Sequence, residues 1–117
     1  MYYMAEKINE TTNLEKLTQE IRRGVLSLAT LSQLHEPRYG YDLIERMAQQ
    51  GLEIDQGTLY PLLRRLEEQG LLQSEWKVED ARPRRYYVIS PAGLELLEKM
   101  KGEWQQLTRV MEKLLQI

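Results

Sequence analysis

The sequence predicts a mainly α-helical fold with one small β-hairpin, and three observations lead to this prediction. Apolar residues recur every three or four positions over four stretches of the chain, which is the period of amphipathic helices. Two short stretches, 71–78 and 84–90, are instead rich in aromatic and β-branched residues and flank a turn segment. A length of 117 residues suits one small domain with one further element. The order of three helices, a hairpin and a last helix is that of a winged helix-turn-helix with an added C-terminal helix.

The composition argues against an enzyme. The chain has no Cys and a single His, His35, which excludes disulfides and any Cys/His zinc site. His35 lies in a predicted loop, and no nucleophile elbow accompanies it. The carboxylates are scattered over polar helix faces, where nothing would shift their pKa values for acid/base chemistry. We therefore expect no catalytic, cofactor or metal site.

Hydropathy and charge restrict the location and the partners. No apolar run approaches the roughly 20 residues that cross a bilayer, and residues 1–12 lack the basic start and apolar core of a secretion signal. We expect a cytoplasmic protein without a membrane partner. The net charge is −2, so nucleic-acid binding would have to use a local basic patch. The strongest candidate is the segment RPRR, which contains Arg82, Arg84 and Arg85.

The chain divides into three predicted parts. Residues 1–13, with Tyr2 and Tyr3, show no helical period and form an N-terminal tail that either frays or packs on a partner subunit. Residues 14–90 form the winged helix-turn-helix domain, and residues 91–117 form the C-terminal helix. The first helix is predicted from Leu14 to about Leu34 and should contribute to the core. Its apolar positions are Leu14, Leu17, Ile21, Val25 and Leu28.

The second and third helices are predicted to follow each other closely. The second spans Tyr39–Gln50 and ends at Gly51, and the five residues LEIDQ come next. Pro61 has no N–H group and is tolerated best in the first turn of a helix, which favours a start of the third helix near Thr58 over a start at Asp55.

The third helix has an apolar stripe and an opposite polar face. Leucines form the stripe at positions 59, 62, 63 and 66. Arg64 points away from them, Pro61 shares its side, and Tyr60 and Arg65 lie on the flanks. Gly70 is placed to end the helix in a left-handed conformation. A helix with these residues outward is suited to enter a groove.

The hairpin and the last helix follow directly. Strands are predicted at Leu71–Val78 and Arg84–Ser90, with a turn at EDARP between them. Ser90 and Pro91 are typical of an N-cap and a first helical residue.

The last helix carries a heptad seam with spacings of three and four residues. The seam consists of Leu97, Met100, Trp104, Leu107, Met111 and Leu114. A helix after the wing has little core left to cover, so the seam predicts a homodimer. The alternative is that the helix folds back on its own helix-turn-helix.

Four segments, in this order and spacing, resemble the PadR family of bacterial transcriptional regulators. They are YGYDL at Tyr39–Leu43, GTLYPLLRRLE at Gly57–Glu67, GLL at Gly70–Leu72 and RRYYVISPAG at Arg84–Gly93. The resemblance covers roughly residues 17–115 and is to the smaller subgroup with a single C-terminal dimerisation helix. It implies a homodimeric winged-helix protein, usually a repressor, that binds a palindromic operator and dissociates when an effector binds.

The resemblance also implies a set of DNA contacts. The N-terminal half of the third helix would enter the major groove, and the wing would reach the flanking backbone or minor groove. The hydroxyl groups of Tyr41 and Thr58 could donate to phosphates, while Glu67 and Glu68 would stay outside. The full predicted set is Tyr41, Thr58, Tyr60, Pro61, Arg64, Arg65, Arg82, Arg84 and Arg85.

An effector site is implied in the same way. In some PadR-like multidrug-responsive repressors, a tryptophan on this helix helps to hold flat aromatic compounds between the subunits. By this similarity Trp104 is a candidate platform, with Met100, Leu107 and Met111 as walls. The alternative is that Trp104 only packs in the dimer seam.

Two of the predicted DNA contacts could instead form contacts within the chain. Tyr60 could pack beneath the second helix, and Arg85 could pair with Glu75 or Glu79 across the hairpin. Because the composition is acidic, a second class of function remains as an alternative: a winged-helix module that binds another protein. Steep salt dependence of binding would distinguish DNA from such a partner.

Overall fold

The computed structural model describes the backbone of residues 2–117 and the side chains of residues 11–117. The mainly α-helical fold with a small antiparallel sheet is confirmed. Its elements are α1 Tyr2–Ser32, β1 Arg38–Tyr39, α2 Gly40–Gln49, α3 Gln56–Glu68, β2 Leu72–Glu79, β3 Arg82–Ile89 and α4 Pro91–Leu115. Within this described part, no helix combines the length and apolar character needed to cross a membrane.

Helix α1 is longer than predicted, because it begins at Tyr2 rather than near Leu14. The added segment contains neither Pro nor Gly, so nothing in its sequence interrupts a helix. Leu14, Leu17 and Ile21 are exposed, which corrects the prediction that they belong to the core. The side chains of Tyr2 and Tyr3, and with them the predicted contact of the tail with a partner, lie outside the described residues.

The core lies between the C-terminal part of α1, the two short helices, the sheet and the first turns of α4. All four leucines of the predicted stripe on α3 are buried. The buried apolar residues are Leu26, Leu31, Leu34, Leu43, Met47, Ile54, Leu59, Leu62, Leu63, Leu66, Leu72, Tyr87, Ile89 and Leu97. The helix-turn-helix therefore closes its own core within one chain.

The sheet has the strand order β1-β3-β2, with both pairs antiparallel. Strands β2 and β3 form the predicted hairpin, called the wing below. Strand β1 was not predicted, because its two residues are too short to show an alternating pattern. The hairpin turn is shorter than predicted: only Asp80 and Ala81 lie outside the strands, with φ of 52° and 60°. Two central residues with positive φ match the type I′ turn that joins twisted antiparallel strands.

The start of α3 differs from the prediction. Asp55 is the N-cap, and its side chain accepts a hydrogen bond from the Thr58 N–H at 2.8 Å. The helix therefore begins at Gln56, and Pro61 lies inside it, not in its first turn. The prediction of a start near Thr58 was wrong because it gave the missing N–H of Pro61 more weight than the cap at Asp55.

The helix ends follow the predicted signals. Gly70 has a φ of +79°, and the N–H of Leu71 donates to the carbonyl of Leu66 at 2.9 Å, the pattern of a Schellman cap. Ser90 caps α4 by accepting from the Gly93 N–H at 3.0 Å. Its hydroxyl also donates to the Gly70 carbonyl at 2.6 Å. One serine thus connects the end of α3 to the start of α4.

Candidate nucleic-acid interface

The outward face of α3 is polar and cationic. Because the leucines of this helix point into the core, Thr58, Pro61, Arg64 and Arg65 are exposed on the other side. Within residues 11–117, neither Arg64 nor Arg65 has an ion-pair partner. Their charges are therefore available to an external anion.

Tyr60 packs against the start of α2. A Cβ atom placed on Gly40 would overlap Cε1 of the Tyr60 ring, so any larger residue at position 40 requires this ring to move. The alternative that Tyr60 packs beneath the second helix thus matches the observed contact. Tyr41, the next residue along α2, is 53% exposed and turns its side chain to solvent.

The three wing arginines differ in their surroundings. Arg82 is exposed beside the hairpin turn and has no ion-pair partner within residues 11–117. Arg84 pairs with Glu79 at 3.5 Å and lies 4.7 Å from the centroid of the Tyr39 ring. Arg85 pairs with Glu67 of α3 at 2.7 Å. Of these three arginines, Arg82 is the one without an ion-pair partner among the described residues.

The strand register explains these partners. Arg85 lies opposite Trp76, whereas Glu75 lies opposite Tyr86 and Glu79 opposite Arg82. Directly opposed residues share one face of an antiparallel pair, so Arg85 is on the other face from both acids. Neither suggested pairing across the hairpin forms, and Arg85 instead reaches the helix that lies against its own face.

Tyrosines on the wing link it to the rest of the sheet. The Tyr86 hydroxyl donates to Glu79 at 2.7 Å, and its ring meets the Tyr39 ring edge-on with centroids 5.4 Å apart. The bond to Glu79 is the main reason that the pKa of Tyr86 is raised. Burial raises the pKa of Tyr87. Both phenols are therefore neutral at physiological pH, and that of Tyr86 acts as the hydrogen-bond donor to Glu79.

Two residues near this surface were not among the predicted contacts. Glu67 was expected to stay outside the interface, and Ser74 was not singled out, yet both contact Arg85. Strand alternation places Ser74 on the face of Arg85 once the register of the two strands is known. The sequence separation of Glu67 from Arg85 carries no such signal, because their contact depends on how the wing packs on α3.

The seam of α4 is covered unevenly. Leu97 is fully buried in its own chain, so the first turns of α4 fold back on the core. The other five seam residues are 38–70% exposed; they are Met100, Trp104, Leu107, Met111 and Leu114.

A groove of about 280 Å³ between α1 and α4 is lined by Trp104, with Val25, Leu28 and Leu97 among its walls. Of the four predicted effector residues, Trp104 is the one that lines it.

Comparison with known proteins agrees with this architecture. Residues 27–99 match the sequence model of the Transcriptional regulator PadR-like family. A transcriptional regulator of Mycobacterium tuberculosis is 37% identical over 89 residues, which are 76% of this chain and 79% of that protein.

Two crystal structures of regulators have the same fold. The PadR family regulator from Eggerthella lenta superimposes with a TM-score of 0.82 at 42% identity, covering 92% of this chain and 96% of that chain. A PadR-like regulator from Bacillus cereus gives a TM-score of 0.73 at 32% identity, covering 84% and 98%. The chain therefore belongs to the PadR-like family of DNA-binding, winged-helix transcriptional regulators.

Proposed function

We propose that this regulator binds a palindromic operator as a homodimer, represses transcription from it, and is released by a small-molecule effector. One observation carries the proposal: α3 buries its entire leucine stripe and turns Arg64 and Arg65, both without an ion-pair partner in residues 11–117, to solvent. No step of the proposal requires catalysis or a cofactor.

Helix α3 is the recognition helix, and its exposed face enters the major groove in each subunit with the residues up to Arg64. Arg64 pairs with a guanine edge, the most common specific contact of an arginine. The hydroxyl groups of Tyr41 and Thr58 bind phosphates, as does Arg82 at the wing tip. Three further groups lie beside the major groove: Pro61, Arg65 and the Tyr60 hydroxyl. Arg84 lies along the flanking DNA backbone.

A second copy of the chain covers the exposed part of the α4 seam. Five large apolar side chains of the seam are exposed along one face of this helix. Helix α1 adds the exposed side chains of Leu14, Leu17 and Ile21. Soluble monomers rarely leave an apolar surface of this extent in water. A two-fold dimer built on these helices fixes the separation of the two recognition helices, which an operator requires to be about 34 Å.

Effector release follows from linkage. A planar aromatic compound stacks on Trp104 beside the groove between α1 and α4, with Met100, Leu107 and Met111 close to it along the seam. It displaces DNA if it binds more tightly to a dimer whose recognition helices have the wrong spacing. Such a dye should quench the fluorescence of Trp104 and leave a Trp104→Phe variant unquenched, with a Trp76→Phe variant as the control that keeps the response.

The first test is binding of the purified protein to the DNA upstream of its own coding region, with scrambled competitor DNA and a salt series. Specific binding should weaken steeply as the salt concentration rises. The logarithm of the association constant should fall linearly with the logarithm of the salt concentration. A reporter fused to the bound promoter should become more active when the regulator is absent. A fall in reporter activity would contradict repression. An absence of specific binding to this DNA would contradict an operator at this promoter, and an absence at other promoters as well would favour a protein partner.

A matched pair of variants tests the recognition helix. Arg64→Ala should weaken specific binding by about 1 to 3 kcal/mol and relax the preference at one base position. Arg109→Ala removes the same charge from an exposed site on α4 that has no ion-pair partner within residues 11–117. Equal effects of the two substitutions would show that Arg64 acts only through the net charge.

A further inference from the structure

Three polar side chains from three elements form a closed network between α3 and the wing. Arg85 of β3 donates from Nη2 to Glu67 Oε1 at 2.7 Å and from Nε to Ser74 Oγ at 3.0 Å. The Ser74 hydroxyl in turn donates to Glu67 Oε2. Each residue therefore contacts the other two, and both donors on one edge of the guanidinium are used.

The surroundings hold the guanidinium of Arg85 in place. It lies 5.7 Å from the ring centroid of Trp76 and 5.4 Å from that of Tyr87. Arg85 and Glu67 are 35% and 27% exposed, so the pair is partly shielded from water and from screening by salt. A planar guanidinium held by two directed hydrogen bonds and ring contacts can occupy far fewer positions than the guanidinium of a free surface arginine.

This network lies where the hydrophobic core stops. Leu72 and Ile89, at the base of the hairpin, are buried, whereas Trp76 and Val78 further out are 63% and 76% exposed. The outer hairpin thus has little apolar contact with the helices. The angle between the wing and α3 therefore depends more strongly on the polar contact through Arg85.

We infer that Arg85 and Glu67 are positioning residues, which hold the wing at the angle to the recognition helix that lets Arg64 and Arg82 contact DNA together. The inference rests on the proposed DNA binding. Glu67 is an acid close to a DNA-binding surface, yet it promotes binding. Because Glu67 neutralises Arg85, this arginine adds little direct attraction for phosphate.

The two charges can be tested by a double-mutant cycle with a matched control. Glu67→Gln should weaken operator binding by roughly 3- to 10-fold, even though it removes a negative charge. Glu68→Gln removes the same charge one residue further along, where the side chain is exposed and has no ion-pair partner in residues 11–117, and should leave binding unchanged or tighter. Arg85→Lys should weaken binding to a similar extent, and the double variant should be no weaker than either single one.

These outcomes separate positioning from simple charge effects. A charge effect shrinks at higher salt, whereas a loss of positioning persists. If Glu67→Gln binds as tightly as Glu68→Gln, or if the effects of Glu67→Gln and Arg85→Lys add, the inference is overturned while DNA binding by the wild type stands. Equal melting temperatures for the variants would show that a loss of affinity does not come from unfolding.

A readout without DNA keeps the inference distinct from the proposed function. The chain has two tryptophans, so Trp104→Phe leaves Trp76, on the wing, as the sole tryptophan, whose emission is excited selectively at wavelengths that tyrosine does not absorb. In that background Glu67→Gln should increase quenching by acrylamide and lower the fluorescence anisotropy, because the outer hairpin moves more freely; Glu68→Gln should change neither. Unchanged Trp76 signals in Glu67→Gln would overturn the inference even if the wild type binds DNA. Failure of the wild type to bind any DNA would instead overturn the proposed function.

Discussion

Helices α3 and α4 have apolar residues at the same spacing, but the chain covers them differently. On α3 all four stripe leucines are buried by the same chain. On α4 only Leu97 at the start of the seam is buried, and the later positions are exposed, with Trp104 at 47% and Leu114 at 70%. An apolar period thus identifies a face that must be covered, and does not identify what covers it.

The two helices also differ in how their starts are held. Asp55 caps α3 from an exposed position with one side-chain hydrogen bond, whereas Ser90 is buried and its hydroxyl takes part in two. The beginning of α4 is therefore part of the domain, while its later turns extend away from it.

The largest effect is expected inside the stripe of α3. Leu63→Ala should lower the free energy of unfolding by about 2 to 5 kcal/mol, because Leu63 is fully buried and its truncation leaves a cavity. Chemical denaturation at two protein concentrations measures it, and the loss should be the same at both. A loss below about 1 kcal/mol would mean that α3 is not the centre of the core.

The second prediction concerns the contact that holds the flank of α3. Gly40→Ala should destabilise the fold by about 1 to 3 kcal/mol, because the added methyl group overlaps the Tyr60 ring. In a Tyr60→Ala background the same substitution should cost little, which a double-mutant cycle measures. An equal cost in both backgrounds would locate the effect in the backbone of α2 rather than in this contact.

The third prediction concerns the uncovered seam of α4. Leu107→Ala should weaken the homodimer by roughly 5- to 30-fold, about 1 to 2 kcal/mol. At protein concentrations where the chain is monomeric, its unfolding free energy should stay within about 0.5 kcal/mol of the wild type. Sedimentation velocity measures the dimer, and Gln106→Ala, one position off the seam, is the control. A wild type that is monomeric at micromolar concentration would contradict the dimer.

The smallest expected effect is a difference between the two caps. Asp55→Ala should reduce stability by about 1 kcal/mol through the loss of one capping bond. Ser90→Ala should reduce it by about 1 kcal/mol more, because the bond to the Gly70 carbonyl is lost as well. Thermal unfolding of the two variants side by side measures the difference. Equal losses would mean that Ser90 contributes only as a cap.

Local signals in the sequence were sufficient for most of the fold. The period of the leucines identified the buried face of α3, Gly70 marked its end, and Ser90 with Pro91 marked the start of α4. Each of these signals acts within a few residues, through backbone geometry or through the alignment of side chains on one helix face. The start of α3 was missed because two local signals, Asp55 and Pro61, pointed to different residues.

For the interface, the helical period identified which residue types face outward on α3, and strand alternation sorted the residues within each wing strand onto two sides. The register between the strands, which places Arg85 on the other side from Glu75 and Glu79, came only from the structure. Three contacts depend instead on how the elements pack: Arg85 pairs with Glu67, Tyr60 packs on Gly40, and Leu97 lies in the core of its own chain. Each of these contacts joins residues of different elements. Their formation depends on the packing angle between the elements, and no residue spacing along the sequence records that angle.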